Sequence, residues 1–188
     1  MKKLIALALA AGFSLAASAA PETFNIDPSH SFSRFEYSHF GYSTQVNKFN
    51  STVGKITIDR AAKTGSVEVT IDPKSANTGS DLFNSHLQGP DFLDSAKYPA
   101  ITYKSTKFVF NGDKLAGVEG NLTIKGVTKP VNLEVTSFHC MPHPMLKKDA
   151  CGANAIAKIK RSDFGAGKYA PHVSDELTLG FSIEAIKE

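Results

Sequence analysis

The residues best suited to chemistry are two cysteines and the metal-ligand side chains around them. Cys140 and Cys151 are the two cysteines of the chain, and ten residues separate them. Two chemistries fit this stretch: a disulfide bond, or a copper or zinc site built from soft and borderline ligands. The C-x-x-C spacing of common metal sites does not occur, which favours the disulfide. The imidazole and thioether groups that a metal site would use are His139, Met141, His143 and Met145.

The amino-terminal residues predict the compartment in which this chemistry takes place. A basic start at Met1-Lys2-Lys3 is followed by an uncharged apolar run from Leu4 to Ala17 and by the small-residue site Ala17-Ser18-Ala19. That order is typical of a secretory signal peptide, and the apolar run is too short to anchor the chain in a bilayer. We expect residues 1–19 to be cleaved after Ala19 and the mature protein to work in the bacterial periplasm. An oxidising compartment strengthens the disulfide prediction and leaves a metal or redox function of the 139–151 loop as the alternative.

Composition limits the remaining function classes. Removal of 19 of the 188 residues leaves 169, enough for one domain with a substantial core. Two of the 21 basic residues lie in the signal peptide, so the mature chain has 19 basic and 18 acidic residues. No nucleic-acid partner is therefore expected. The G-x-S-x-G, H-E-x-x-H and phosphate-binding loop motifs do not occur, and the six histidines are scattered. We therefore expect neither an enzyme nor a cofactor.

Alternation of apolar and polar residues dominates the mature chain. A period of two is typical of β-strands with one buried face. The clearest examples are residues 66–71, 118–124, 131–135 and 177–184. Further strand candidates are residues 24–26, 32–39, 53–58, 101–105, 108–110 and 153–160.

Turn and cap signals set how these strands connect. Asn111-Gly112-Asp113 and Lys125-Gly126-Val127 are typical of the tight turns of antiparallel hairpins. One helix is predicted over residues 80–87, with Ser80 or Asp81 as its cap and Gly89-Pro90 as its end. The connections predict an all-β antiparallel sandwich or barrel with this helix covering one end.

Two compositional features bear on the interior of that fold. Six of the nineteen residues from Ser31 to Phe49 are aromatic, whereas Ala153, Ala155 and Ala157 present small side chains along one face of a strand. Large side chains opposite small ones suit close core packing. An eight-stranded barrel also has room for one small or elongated ligand. Composition leaves the filled and the hollow interior open.

Several short motifs follow one another along the mature chain. They are Asp27-Pro28-Ser29-His30-Ser31, His39-Phe40-Gly41, Asp81 with His86-Leu87, Asp91-Phe92-Leu93-Asp94, Lys97-Tyr98-Pro99-Ala100-Ile101, the run from Gly120 to Val131 and Arg161-Ser162-Asp163-Phe164-Gly165. In this order they resemble the YceI-like family of exported bacterial proteins. That resemblance implies an extended antiparallel eight-stranded, lipocalin-like barrel over residues 20–188, with an apolar pore that holds a polyisoprenoid chain. It also makes a disulfide plausible in the Cys140 to Cys151 insertion.

Alternation and the implied pore together select the candidate ligand-binding residues. Their inward-facing side chains would line an apolar tunnel, and those near the helix would close one end. Arg161 is a candidate contact for a lipid head group, but a surface or ion-paired position is favoured for it. The fourteen candidates are Phe35, Tyr37, Phe40, Val69, Ile71, Phe83, Leu87, Phe92, Tyr103, Leu122, Leu133, Phe164, Leu179 and Phe181.

The sequence thus predicts a periplasmic binding or carrier protein for a long-chain isoprenoid lipid, either a quinone or a prenyl phosphate. Its expected partners are that lipid and, transiently, a membrane or membrane protein. We expect a monomer or a homodimer.

Overall fold

A computed structural model describes residues 20–188, so the predicted signal peptide and its cleavage site lie outside the described residues. One α-helix, α1 (Asp81–Gln88), and two short 3-10 turns, Pro73–Ser75 and Arg161–Phe164, interrupt an otherwise β-stranded chain. The strands are β1 (Glu22–Ile26), β2 (Phe32–His39), β3 (Ser43–Phe49), β4 (Thr52–Asp59), β5 (Thr64–Ile71), β6 (Ala76–Asn77), β7 (Ile101–Asn111), β8 (Lys114–Ile124), β9 (Val127–Pro142), β10 (Asp149–Lys160) and β11 (Glu176–Lys187).

These strands form one closed antiparallel barrel. Neighbours follow the order β1, β4, β5, β7, β8, β9, β10 and β11, and β11 returns to pair with β1. Strands β1 and β2 lie end to end along β11, which pairs with β1 through residues 185–187 and with β2 through residues 178–182. Strand β3 continues the wall made by β4, and the short β6 pairs with β3. The predicted eight-stranded barrel is therefore confirmed.

Connection lengths make the two ends of the barrel different. The disulfide end carries three short turns, at residues 60–63, 112–113 and 143–148. The opposite helix end carries the turns at residues 40–42 and 125–126 and two longer segments, 72–100 and 161–175. The predicted helix is confirmed as α1 in the first of these segments, and the Ser80 hydroxyl accepts a hydrogen bond from the Phe83 amide at 3.5 Å.

Two details of the strands differ from the sequence-based expectation. Residues 101–105 and 108–110 belong to a single strand, β7, whose register shifts between Ser105 and Lys107. Strand β3 was not among the predicted strands. Its alternation is inverted, since Val46 points outward and is exposed whereas Asn47 is buried.

Several side chains towards the disulfide end are almost completely buried. Phe24, Ile58 and Ala185 are 1%, 2% and 0% exposed, respectively. Cys140 and Cys151 face each other across β9 and β10 and form the predicted disulfide. Because Cys151 also pairs with Ala185 on β11, the bond lies beside this packed group.

Candidate functional site

The barrel encloses an apolar cavity of about 480 Å³. Side chains from both halves of the barrel line it, including Phe49 of β3, Phe108 of β7 and Val135 of β9. This volume is within the range of small-molecule binding sites, roughly 300–1,000 Å³. The interior that composition left open is hollow.

Small residues make room where large ones cross the interior. Tyr103 lies over Gly120, where a Cβ atom would meet the Tyr103 ring at 2.5 Å. The Tyr103 hydroxyl lies 3.0 Å from the Val118 carbonyl oxygen and 3.1 Å from that of Val131. Burial raises the pKa of Tyr103 far above its usual range, so the phenol stays protonated and donates. The Tyr103 ring is therefore held in place in the cavity wall by the hydrogen bonds of its own hydroxyl.

The structure brings all fourteen candidate side chains to this cavity. They come from six strands, the 40–42 turn, α1 and the two long segments of the helix end. That they contact a ligand stays a prediction. The same alternation extended along the strands would have found other lining residues, such as Val67 and Val118. His86 and Tyr169, which also line the cavity, carry no such periodic signal.

The cavity opens at the helix end. Of its lining side chains, the exposed ones are Phe40, Phe83, His86 and Tyr169, and all of them lie at that end. Phe40 sits in a tight turn with a left-handed φ of 54°, followed by Gly41 at 74°. The Phe40 ring stacks on His172, with ring centroids 5.7 Å apart. The opening is thus bordered by aromatic side chains.

Three hydrogen-bonded contacts tie the segments around this opening. Lys125, in the left-handed conformation of a two-residue turn, donates from its Nζ atom to the carbonyl oxygens of Pro90 at 2.8 Å and Gly165 at 2.9 Å. Lys168 pairs with Asp91 and so joins the same two segments. The 72–100 and 161–175 segments are therefore linked across the end of the barrel.

Arg161 departs from the surface or ion-paired position that the sequence favoured. It is 6% exposed and lines the cavity. Its Nε atom donates to the Ser174 carbonyl at 2.8 Å, one Nη atom to the Val173 carbonyl at 2.7 Å and the other to the Ala166 carbonyl. Burial lowers the pKa of Arg161, while Asp175 and Tyr37 act in the opposite direction. The guanidinium holds the 161–175 segment and places a cation at the cavity wall.

The disulfide removes the strongest ligands of the alternative metal site. Both thiols are joined, so neither is available as a thiolate. The His143 ring nitrogen Nδ1 accepts from the amides of Met145 and Leu146, each at 3.2 Å, and thereby shapes the turn. Within residues 20–188, no three His, Cys, Asp or Glu residues gather as a metal site would need.

Comparison with known proteins identifies the fold. A model of the YceI-like domain matches residues 24–185. The chain belongs to the YceI-like family. A UPF0312 protein of Pseudomonas aeruginosa and protein YceI of Escherichia coli are each 35% identical to it over 190 residues, covering 100% of this chain and 98% of theirs.

Three solved structures of other proteins resemble this barrel. BcnA of Burkholderia cenocepacia is 26% identical, with a TM-score of 0.74 over 85% of this chain and 99% of its own. A Campylobacter jejuni YCEI protein is 28% identical, with a TM-score of 0.69 over 80% and 90% of the two chains. A polyisoprenoid-binding domain from Saccharophagus degradans has a TM-score of 0.60 over 88% and 98%. Because that last domain is 17% identical, it shows the shared fold alone.

Proposed function

We propose that this YceI-like protein binds one long-chain lipid of the polyisoprenoid type in its barrel and carries it through the periplasm without changing it chemically. An isoprenoid quinone and a prenyl phosphate are the candidate ligands. The observation that carries the proposal is the apolar cavity inside the barrel. It is open at one end and is lined by all fourteen residues that the sequence selected.

The driving force for such binding is burial of apolar surface. Each Å² of apolar ligand surface removed from water contributes about 25 cal/mol. A chain lying along the barrel would contact Phe35, Ile71, Leu122 and Leu179 from four strands. Affinity therefore requires no reactive group, which agrees with a carrier better than with an enzyme.

The rim of the opening suggests how a lipid enters. Leu82 and Tyr42 are 67% and 89% exposed, and they lie beside the exposed lining residues Phe83 and Phe40. Contiguous exposed apolar side chains often mark a contact with a membrane or another protein. We propose that this rim makes transient contact with the membrane that supplies or receives the lipid. No helix within residues 20–188 is both long and apolar enough to cross a bilayer.

Lipid extraction from the native protein tests the proposal. The protein would be purified from its own periplasm, weighed by native mass spectrometry and extracted with solvent to identify what it releases. One isoprenoid or comparable long-chain lipid per chain is expected. A protein that is free of lipid and does not take up added prenyl lipids would contradict the proposal.

A matched pair of variants shows whether the lipid lies in the barrel. Ala155 is buried and lines the cavity, so Ala155→Phe would fill part of the space. Lys158→Phe places the same ring on an exposed position of the same strand. We expect the first variant to lose the bound lipid and the second to keep it. Equal lipid content in two folded variants would place the lipid elsewhere.

A further inference from the structure

We propose that Met141 and Met145 form a reversible oxidation site at the disulfide end of the barrel, where an oxygen-transferring oxidant converts each thioether to a sulfoxide. Hypohalous acids and hydroperoxides are the two classes of oxidant that supply this chemistry. The inference is independent of lipid binding, because the site lies at the end of the barrel opposite the opening of the cavity.

The fold presents the thioethers of the mature chain to solvent. Beyond Met1, which lies in the predicted signal peptide, Met141 and Met145 are the two methionines of the chain. They lie at the tip of the hairpin between β9 and β10, residues 141–148, where Met145 is 81% and Met141 is 54% exposed. Methionine often fills gaps in hydrophobic cores, whereas the buried core of residues 20–188 consists of other residue types. Thioether oxidation is therefore directed to the 141–148 tip and away from the core.

The two thioethers are also the readily oxidised sulfur groups of the mature chain. A free thiolate is the usual first target of an oxidant. Cys140 and Cys151 are the two cysteines of the chain, and both are held in the disulfide. No thiol therefore competes with Met141 and Met145 for the oxidant.

The 141–148 tip keeps its shape without help from either methionine side chain. The His143 amide donates to the Lys148 carbonyl oxygen at 2.7 Å, and the His143 Nδ1 atom accepts from the amides of Met145 and Leu146. The disulfide closes the base of the same hairpin. A sulfoxide disrupts a packed core, but here each side chain is exposed, so water can solvate the added oxygen. The fold is therefore expected to tolerate oxidation at both positions.

The oxidation and its reversal are balanced reactions. With hypochlorous acid, the thioether sulfur gives up two electrons and gains the oxygen atom, and chloride and a proton leave. With hydrogen peroxide, the sulfur gains one oxygen atom and water leaves. In the reverse step, a methionine sulfoxide reductase removes the oxygen as water, with two electrons and two protons from a dithiol such as reduced thioredoxin.

Oxidation changes the character of the surface at the tip. Met141, Met145 and Leu146 are exposed apolar side chains, and Lys147 and Lys148 follow them directly. A sulfoxide converts a flexible apolar side chain into a polar one. The tip would therefore change from partly apolar to polar while the barrel behind it stays the same.

Oxygen uptake by the folded protein tests the site. The protein would be treated with graded doses of sodium hypochlorite or, in a separate arm, of hydrogen peroxide, and peptide mass spectrometry would locate each added oxygen. We expect one oxygen at each methionine, with Met145 reacting about two- to fivefold faster than Met141 because it is more exposed. Reductases specific for the two sulfoxide epimers, supplied with reduced thioredoxin, should remove both oxygens. The arm that oxidises the tip at the lower dose identifies the class of oxidant.

Two variants separate this site from general oxidation of the chain. The double variant Met141→Leu with Met145→Leu keeps the side-chain volumes similar and removes both sulfur atoms. It should take up no oxygen at the dose that saturates the parent protein. Leu115→Met places a thioether on β8 at a position that is 5% exposed. We expect that thioether to react at least about tenfold more slowly than Met145 in the same molecule.

Each outcome decides for or against the site. Oxidation confined to residues 141 and 145, reversed by the reductases and without change in the urea midpoint, supports it. Equal oxygen uptake by the double variant, equal rates at residues 115 and 145, or sulfoxides that the reductases leave in place would overturn it. If Leu115→Met does not fold, the double variant alone decides. The bound lipid is measured separately, so a protein without lipid would contradict the carrier function and leave this inference standing.

Discussion

The two ends of this barrel differ in packing and in access to the cavity, although the same strands form both. At the disulfide end, the strand connections are short, β1 pairs with both β4 and β11, and Phe24, Ile58 and Ala185 are almost completely buried. At the helix end, the 72–100 and 161–175 segments replace short turns, and aromatic side chains of the lining are exposed. Stability and access are therefore separated along the barrel axis. A carrier needs both, because a ligand cavity removes side chains that would otherwise fill the core.

The helix end is also the part best suited to move. Helix α1 has eight residues, too few for independent stability, so its position depends on the contacts it makes. Leu87 is its one buried side chain, and the segment is tied to its neighbour mainly through Lys125 and Lys168. Regions with few buried apolar contacts open locally at low free-energy cost. Ligand exchange through this end would leave the disulfide end intact.

The sharpest test of this division is a cavity at the disulfide end. Phe24→Ala removes a ring that is 1% exposed, and we expect the free energy of unfolding to fall by about 3–5 kcal/mol. Urea unfolding followed by circular dichroism measures the change. Lipid affinity of the folded variant should stay close to that of the parent protein, because Phe24 is not among the residues lining the main cavity. A loss below about 1 kcal/mol would contradict the assignment of stability to this end.

Removal of the disulfide should weaken the same end by a smaller amount. The bond closes a loop of ten residues between β9 and β10, which in the chain-entropy model is worth roughly 2–3 kcal/mol. The double variant Cys140→Ser with Cys151→Ser would be compared with the parent protein by urea unfolding. Its bound lipid should be retained at the same ratio. A variant as stable as the parent protein would show that the ladder between β9 and β10 already suffices.

A substitution at the opening should alter lipid transfer and leave stability almost unchanged, which is the reverse of the pattern expected at the disulfide end. Phe83 is 39% exposed and borders the cavity, so Phe83→Ala should change the free energy of unfolding by no more than about 0.5 kcal/mol. Transfer of a fluorescent lipid from vesicles to the delipidated protein should nevertheless change in rate, because the rim that the lipid crosses is altered. Stopped-flow fluorescence measures that rate. An unchanged transfer rate would mean that entry does not pass this side of the helix end.

The same contrast explains what the sequence could and could not predict. Strands with one apolar and one polar face are readable from alternation, so β2 and the inward residues of β5 and β11 were predicted correctly. Strand β3 was missed because its pattern is inverted, with Val46 outside and Asn47 inside. That inversion is a local departure from the usual burial of apolar residues and exposure of polar ones.

Some side-chain positions depend on tertiary contacts, and periodicity could not predict them. Arg161 looks like a surface residue in the sequence, yet three carbonyl groups of the 161–175 segment surround its guanidinium. His86 and Tyr169 reach the cavity only because two long segments meet over the end of the barrel. No local sequence pattern indicates that these two segments lie next to each other. The fold and the apolar wall were therefore predictable, whereas the polar part of the site was not.

The smallest predicted effect concerns the corner between the two ends, where β1 passes into β2. The Asp27 carboxylate accepts from the Ser29 amide at 2.9 Å, the Ser29 hydroxyl at 2.6 Å and the His30 ring at 2.8 Å. These bonds, led by that of the Ser29 side chain, lower the pKa of Asp27 from 3.8 to about 2, and Asp27 raises the pKa of His30 above 6.5.

The sign of the resulting pH dependence follows from the two shifts. The contribution of Asp27 is complete above pH 3.8 and is lost as the pH falls towards 2. The contribution of His30 is complete below pH 6.5 and is lost as the pH rises through its raised pKa. Both are present together between about pH 4 and 6.5, and both are small because the groups are solvated. Between pH 5.5 and pH 8.5, the urea midpoint of the parent protein should fall slightly more than that of Asp27→Asn, because the variant lacks the pairing. Identical pH dependence in the two proteins would show that this corner is held by the bond from the Ser31 hydroxyl to the Glu184 carbonyl and not by its charges.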